Sequence, residues 1–321
     1  MAATPSQPKH WSGSGRLRGG QHGIWLFITA LRLLGLRITY LLTVPPAIYF
    51  SFASPDVAAT MDFHRRIFGP LPWWKRRWFV FKHFLSFGRA LIDRTAILAG
   101  DKKRFTFSFD GEENLRTALA RGRGLLLLTA HVGNWEAAGQ LLARVDVPIN
   151  VTGFDNETPE MRSLLNSAGS AKFRLIPLTG SPTDTIPLVA ALRRGEIVAM
   201  LGDRSYGSPS AQLPFLGDVA AFPVGAYVMA AIAGSPLMHA FSQRERGGHY
   251  RFYGFAPQTF ELPARTERDA YLKKAAADFA HNLEGIVRRD PFQWYNFYPF
   301  WELKTPPQLT PKTQPESCPA R

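Results

Sequence analysis

Leu125-Leu-Leu-Leu-Thr-Ala-His-Val-Gly-Asn-Trp-Glu136 is the stretch whose reading decides the fold. An uncharged apolar run stops at a histidine, and a carboxylate follows five positions later. The run predicts a buried strand over Leu125–Thr129, then a turn at Gly133-Asn134, then a helix carrying Glu136. On a continuous helix, residues five apart point about 140° away from each other, since each residue turns about 100°. His131 and Glu136 therefore meet only if the histidine precedes the regular helix. Gly133 and Asn134 permit this, because both tolerate unusual backbone angles and Asn is a good N-cap. A carboxylate on one imidazole nitrogen fixes the tautomer and raises basicity, so the other nitrogen can take a proton from a hydroxyl. The spacing equally fits a satisfied histidine at a strand end beside an ordinary helix-N-terminal glutamate.

Outward from this stretch, strands and helices alternate. Strands are predicted at Phe105–Asp110, Ile149–Phe154, Phe173–Leu178, Ile197–Leu201, Pro236–Phe241 and Tyr250–Phe255. Helices are predicted at Glu112–Arg121, Asn134–Arg144, Pro159–Ala168, Thr183–Arg194, Phe222–Ala233 and Glu267–Arg289. This order predicts an α/β fold with a mostly parallel central sheet flanked by helices. Ligands then bind beyond the carboxyl ends of the strands, where His131 and Arg204 both fall.

The N-terminal third has a different character. Residues 1–22 are polar and rich in Gly and Ser, which predicts a mobile N-terminus. Ile24 to Phe52 is dominated by apolar residues, broken by Arg32, Arg37 and Pro45-Pro46. The charge-free run Ile38–Pro55 is just long enough to span a bilayer as a straight helix, but the prolines oppose one. Two readings follow: a retained membrane anchor, kinked or interfacial, or a helical pair packed on the catalytic domain. Pro72-Trp-Trp-Lys-Arg-Arg-Trp-Phe has the mixture of tryptophan and cation found at lipid headgroup level. The predicted layout is a membrane-associated helical region at 23–100, an α/β domain at 101–303 and a disordered Pro-rich tail at 304–321.

The net charge of +13 is uneven: residues 1–100 hold 13 Lys or Arg against 3 Asp or Glu, and the remainder is nearly balanced. With no nucleic-acid-binding motif present, basic residues beside an apolar segment favour an anionic phospholipid membrane over nucleic acid. The sole cysteine, Cys318, sits in the tail and excludes both an intramolecular disulfide and a Cys-based zinc site. Gly-x-Ser-x-Gly and His-Glu-x-x-His are both absent, which disfavours a serine hydrolase and a zincin.

The segment Arg121–Glu136 resembles the first motif of the lysophospholipid acyltransferase superfamily, and within it the bacterial lipid A late acyltransferases, whose motif is His-x-x-x-x-Glu. Gly195–Arg204 is similar to a family strand ending in an acidic or phosphate-contacting element. Leu213-Pro-Phe-Leu-Gly-Asp-Val-Ala-Ala-Phe-Pro-Val-Gly225 is similar to the family's Phe-x-Gly-x-x-Ala-x-x-Pro-x-Gly. The three occur in family order.

The resemblance implies a glycerolipid-acyltransferase-like fold and transfer of a fatty acyl group from a thioester to a lipid or glycolipid hydroxyl. His131 would be the general base and Glu136 its orienter. Acyl carrier protein or acyl-CoA would be co-substrate, with no other cofactor and no metal. The implied location is the cytoplasmic face of a bacterial inner membrane. Backbone amides at Gly133 and Asn134 are candidate oxyanion donors. Asn156 and Arg162 would position substrate, and Asp203 stands where relatives carry an acidic residue. Arg204 either grips a phosphate or carboxylate or pairs internally with Asp203 or Glu136. The Gly-Asp-Arg element differs from the Pro-Glu-Gly-Thr of glycerophosphate acyltransferases, so their acceptor does not carry over. The non-enzymatic alternative is a catalytically inactive membrane-surface lipid-binding protein of the same fold.

Overall fold

A central sheet runs in the order β1-β9-β8-β2-β5-β3-β4, with β2 (Leu125–Thr129) in the middle. The strands are β1 (Thr106–Asp110), β3 (Ile149–Phe154), β4 (Phe173–Leu178), β5 (Ile197–Leu201), β8 (Leu237–Arg244) and β9 (His249–Gly254). Every pairing is parallel except β8 with β9. The computed structural model describes residues 20–98, 100–134, 145–154, 173–178, 181–204 and 208–301. Glu136, Asn156, Arg162, the helix predicted over Pro159–Ala168 and all but the first residue of the helix predicted over Asn134–Arg144 lie outside the described residues. So do the first 19 residues and the Pro-rich tail from 302 onward.

All five residues of β2 are buried, as suits a parallel strand covered on both faces. Its alternate side chains enter different cores. Leu126 and Leu128 pack with helices α7 (Gly225–Ala233) and α8 (Arg268–Arg289), whereas Leu125 and Leu127 pack with α5 (Glu112–Ala120). The helix α6 (Thr185–Arg193) leads into β5.

One expectation fails locally. The helix predicted from Phe222 begins only at Gly225, because β6 (Ser210–Phe215) and β7 (Asp218–Pro223) form an antiparallel hairpin. Ala211, Leu213 and Phe215 alternate inward along β6, and this period of two competes successfully with the apolar composition that suggested a helix.

Helices α1 (Gly20–Leu41), α2 (Val44–Ala53), α3 (Val57–Phe68) and α4 (Trp73–Leu98) precede the sheet. No straight span covers Ile38–Pro55. Gly35 breaks α1 at φ 75°, the chain turns at Leu42-Thr43, and Pro45 and Pro46 fall in the first turn of α2, where their missing N–H groups cost least. By length and composition alone, Leu33–Ala53 would suffice to cross a membrane. One side of these helices packs onto the protein. Leu31 and Leu36 join Ile92, Tyr250 and Phe252, while Ala47 joins Val80 and Phe84. A buried polar knot fastens this packing: Asp93 of α4 accepts from Tyr40 of α1, from Tyr250 of β9 at 2.5 Å and from Arg244 of β8 at 2.7 Å. The opposite side leaves Leu33, Leu41, Tyr49 and Phe52 exposed, continuous in composition with exposed Trp73, Trp74 and Trp78 at the start of α4.

Candidate active site

Strand register brings the principal pair together. Thr129 of β2 lies opposite Leu201 of β5, so the residues two beyond each, His131 and Asp203, emerge side by side at the carboxyl edge of the sheet. Gly202 makes the approach possible: its amide donates to Thr129 O at 2.8 Å, and a Cβ there would sit 2.8 Å from Leu128. His131 Nδ1 donates to Asp203 Oδ1 at 2.8 Å, and the His131 main-chain N–H donates to Oδ2 at 3.0 Å. The carboxylate seen at the histidine is thus Asp203, a residue whose role was open from sequence.

Asp203 is completely buried, while the His131 side chain retains 21% of its exposure. Burial alone would raise the Asp203 pKa. The neighbouring His131, its hydrogen bonds and Arg204 outweigh that and hold the group at about 2. Burial lowers the His131 pKa and Arg204 lowers it further, against the opposing pull of Asp203. At neutral pH the pair is therefore a carboxylate and a neutral imidazole. Nδ1 carries the proton, and no described residue hydrogen-bonds Nε2. That is the state required of a general base.

The segment Pro291–Trp301 closes around this pair. Val132 forms an antiparallel bridge with Trp294, Tyr295 N donates to His131 O at 2.7 Å, and Trp294 Nε1 donates to Asp203 Oδ2 at 3.0 Å. Tyr298 Oη donates to Asp203 O at 3.2 Å. Sequence reasoning did not find these aromatic residues. The available signal was a dense run of Trp and Tyr, whose N–H and O–H groups need partners when buried.

Arg204 does not form an ion pair with Asp203: among the described residues no carboxylate lies within 4 Å of it. Its Nη2 donates to Tyr295 O at 3.2 Å, its guanidinium lies 5.2 Å from the Tyr298 ring, and its buried Nε has no hydrogen-bond partner among the described residues. The amides expected to meet an oxyanion are engaged elsewhere. Gly133 N donates to Gln293 O at 2.8 Å and Asn134 N to Ser242 Oγ at 3.0 Å. Gly133 has a structural role instead. Its φ is 59°, and a Cβ would lie 2.3 Å from Ser242 O.

The model of the bacterial lipid A biosynthesis acyltransferase family matches residues 21–302. The chain belongs to that family. It is 26% identical over 196 residues to the phosphatidylinositol mannoside acyltransferase of Mycobacterium tuberculosis, covering 60% of this chain and 58% of that protein. It is also 26% identical over 195 residues to the Mycolicibacterium smegmatis protein of the same name, covering 59% and 60%. The match thus spans under two thirds of either relative. The 1-acyl-sn-glycerophosphate acyltransferase PlsC of Thermotoga maritima overlays on 71% of this chain and 97% of its own, at 11% identity and a TM-score of 0.34, too loosely to bear on chemistry.

Proposed function

We propose that this protein transfers a fatty acyl group from a thioester donor, acyl carrier protein or coenzyme A, to a hydroxyl of a lipid or glycolipid acceptor. The observation that carries this reading is the His131–Asp203 pair, with Nδ1 held at 2.8 Å and Nε2 left without a described partner. His131 Nε2 removes the acceptor's proton as its oxygen attacks the thioester carbonyl, and buried Asp203 stabilises the imidazolium that forms. Collapse of the tetrahedral intermediate breaks the C–S bond, and the departing thiolate takes the proton from the imidazolium. The products are an ester and a free thiol. Arg204, a cation beside the pair with its Nε unspent, grips an anionic group of donor or acceptor. Glu136, Asn156 and Arg162 remain proposed contributors by family resemblance.

The reaction takes place, in this reading, at the cytoplasmic face of a bacterial inner membrane. The exposed apolar side of α1 and α2 and the Trp73, Trp74 and Trp78 cluster support an interfacial attachment. The basic residues around them suit an anionic bilayer and an acidic carrier protein.

The test is turnover of a purified acyl donor with a lipid acceptor. His131→Ala should lower kcat by about 10²–10⁴-fold with the fold intact. Asp203→Asn should give a loss of similar order, and Glu136→Gln a smaller one. A His131→Ala enzyme keeping more than about a tenth of wild-type turnover would rule out the base assignment. A larger loss with Glu136→Gln than with Asp203→Asn would transfer the orienting role to Glu136.

A further inference from the structure

An open cleft of about 660 Å³ lies between α4, the end of β8 and the C-terminal end of α8, and neither His131 nor Asp203 lines it. Five cations surround it: Lys82 and Arg89 of α4, Arg244 and Arg246 near the β8–β9 turn, and Arg289 of α8. Arg244 pairs with Asp93 at 2.7 Å. The other four have no carboxylate within 4 Å among the described residues. Three of these rest on rings instead: Lys82 is 4.2 Å from Phe292, Arg289 4.8 Å from Tyr253 and Arg89 6.0 Å from Tyr40. These contacts hold the charges in place without neutralising them.

The carboxylates in the lining are already engaged. Glu245 accepts from Arg251 at 2.7 Å, and Asp290 accepts from Gln293 Nε2 at 2.7 Å and Phe292 N at 3.2 Å. The lining is predominantly cationic, five cations against two carboxylates, and such a concavity focuses its field and concentrates anions. Arginines arranged in this way match phosphate oxygens. The cleft is far larger than one phosphate and falls within the range of small-molecule sites.

Its position ties it to the candidate active site. Gln293, in the cleft wall, donates its side chain to Arg244 O at 2.7 Å and uses its own carbonyl to hold Gly133 N–H at 2.8 Å. Along α4, Arg89 lies about 16 Å beyond exposed Trp78, at 1.5 Å per residue.

We propose that this cleft binds the phosphate ester of one of the two substrates of acyl transfer, an inference that rests on the reading given under Proposed function. The phosphate is either that of a lipid headgroup or that of the donor's pantetheine arm. A bound phosphate there anchors the substrate beside the His131–Asp203 pair, not on it.

The test is calorimetric titration of the full-length protein in detergent with dihexanoyl phosphatidic acid below its micelle concentration, with 4′-phosphopantetheine, and with dihexanoyl glycerol as the phosphate-free control. At least one phosphate probe should bind, and dihexanoyl glycerol should bind far more weakly. Arg89→Gln, Arg289→Gln and the turn variant Arg246→Gln should each weaken binding about tenfold, with unchanged melting temperatures. Because Arg246 makes no ring or ion-pair contact among the described residues, its substitution keeps the test independent of packing. Phosphatidic acid binding alone places a headgroup in the cleft, and phosphopantetheine binding alone places the donor there; either supports the proposal. Binding of neither probe, equal binding of dihexanoyl glycerol, or wild-type affinity in all three variants overturns it. His131→Ala should retain phosphate binding while losing transfer. Phosphate binding without any transfer in the wild type would count against the acyl-transfer reading alone, and transfer without phosphate binding against the cleft alone.

Discussion

The indole N–H of Trp294 reaches Oδ2 of Asp203 at 3.0 Å across 91 residues of chain. That oxygen also accepts the His131 main-chain N–H at 3.0 Å, and Oδ1 takes the imidazole N–H. A carboxylate with no exposed surface is thereby supplied with donors on both oxygens, the condition on which a buried charge is tolerated. Trp294→Phe keeps most of the ring and removes one donor. Its kcat should fall about tenfold, the size of one hydrogen bond to a charged group, with KM little changed. An unchanged kcat in a folded variant would reduce the indole to a packing role.

Burial, with the Arg204 charge second, should set the acid limit of the reaction. Burial and the Arg204 charge both hold the His131 pKa below its ordinary value, so the acid limb of kcat/KM should lie below about pH 6.5. Arg204→Gln removes a cation that disfavours imidazolium, and the limb should move to higher pH. A pH–rate profile of the two enzymes measures this directly, and superimposable acid limbs would contradict it.

Three buried histidines should make the protein sensitive to acid. His83 Nε2 donates to Trp294 O at 2.9 Å, so its Nδ1 accepts from His64 Nε2 at 3.2 Å, and both rings are neutral. Burial lowers His64 to about 2 and His83 and His239 to about 4, from 6.5. The unfolded chain then binds more protons than the native one. Stability is complete above pH 6.5 and falls as pH drops towards 4, with the His64 contribution continuing to about 2. Each group contributes about 1.4 kcal/mol per pH unit over its window. Denaturant titrations at pH 7, 6 and 5 check this, and His83→Gln should flatten the slope. Equal stability at pH 7 and pH 5 would be incompatible with neutral burial.

Membrane attachment should separate into two components. Replacing Trp73, Trp74 and Trp78 with Ala removes exposed apolar surface, and binding to anionic vesicles should weaken at every salt concentration. Lys75→Glu with Arg76→Glu should weaken it by about 1 kcal/mol per charge removed, an effect that fades as salt rises. Arg77 is left intact because it donates to Ser51 O at 3.2 Å and joins α4 to α2. Vesicle flotation that leaves the wild-type protein entirely unbound would instead make α1 and α2 a covering of the sheet alone.

The strands were legible because their physics is local. The runs at Leu125–Thr129, Ile149–Phe154, Phe173–Leu178 and Ile197–Leu201, uncharged except for Arg174, form strands with the predicted bounds. The hairpin was missed because Val219–Val224 is apolar enough to resemble a helix start, while the alternation that marks β6 lies before the Leu216-Gly217 turn. The partner of His131 was hidden for a different reason. Asp203 reaches it through the register of two strands 72 residues apart, and a single sequence does not reveal register. Spacing alone drew attention to the nearer carboxylate, Glu136. Trp294 was hidden in the same way, its contact depending on a closing segment that returns across the sheet edge.

That closing segment imposes an order on synthesis. His131 and Asp203 leave the ribosome well before Pro291–Trp301, and until those residues arrive Asp203 has neither its indole donor nor the backbone bridge beside it. A nascent chain halted before Pro291 contains both members of the pair, placed by strand register, and lacks the indole donor and backbone bridge that close over them. On the reading proposed for this pair, competence should come only after α8 has been translated, and fragments from interrupted translation should be inert even where the sheet has formed.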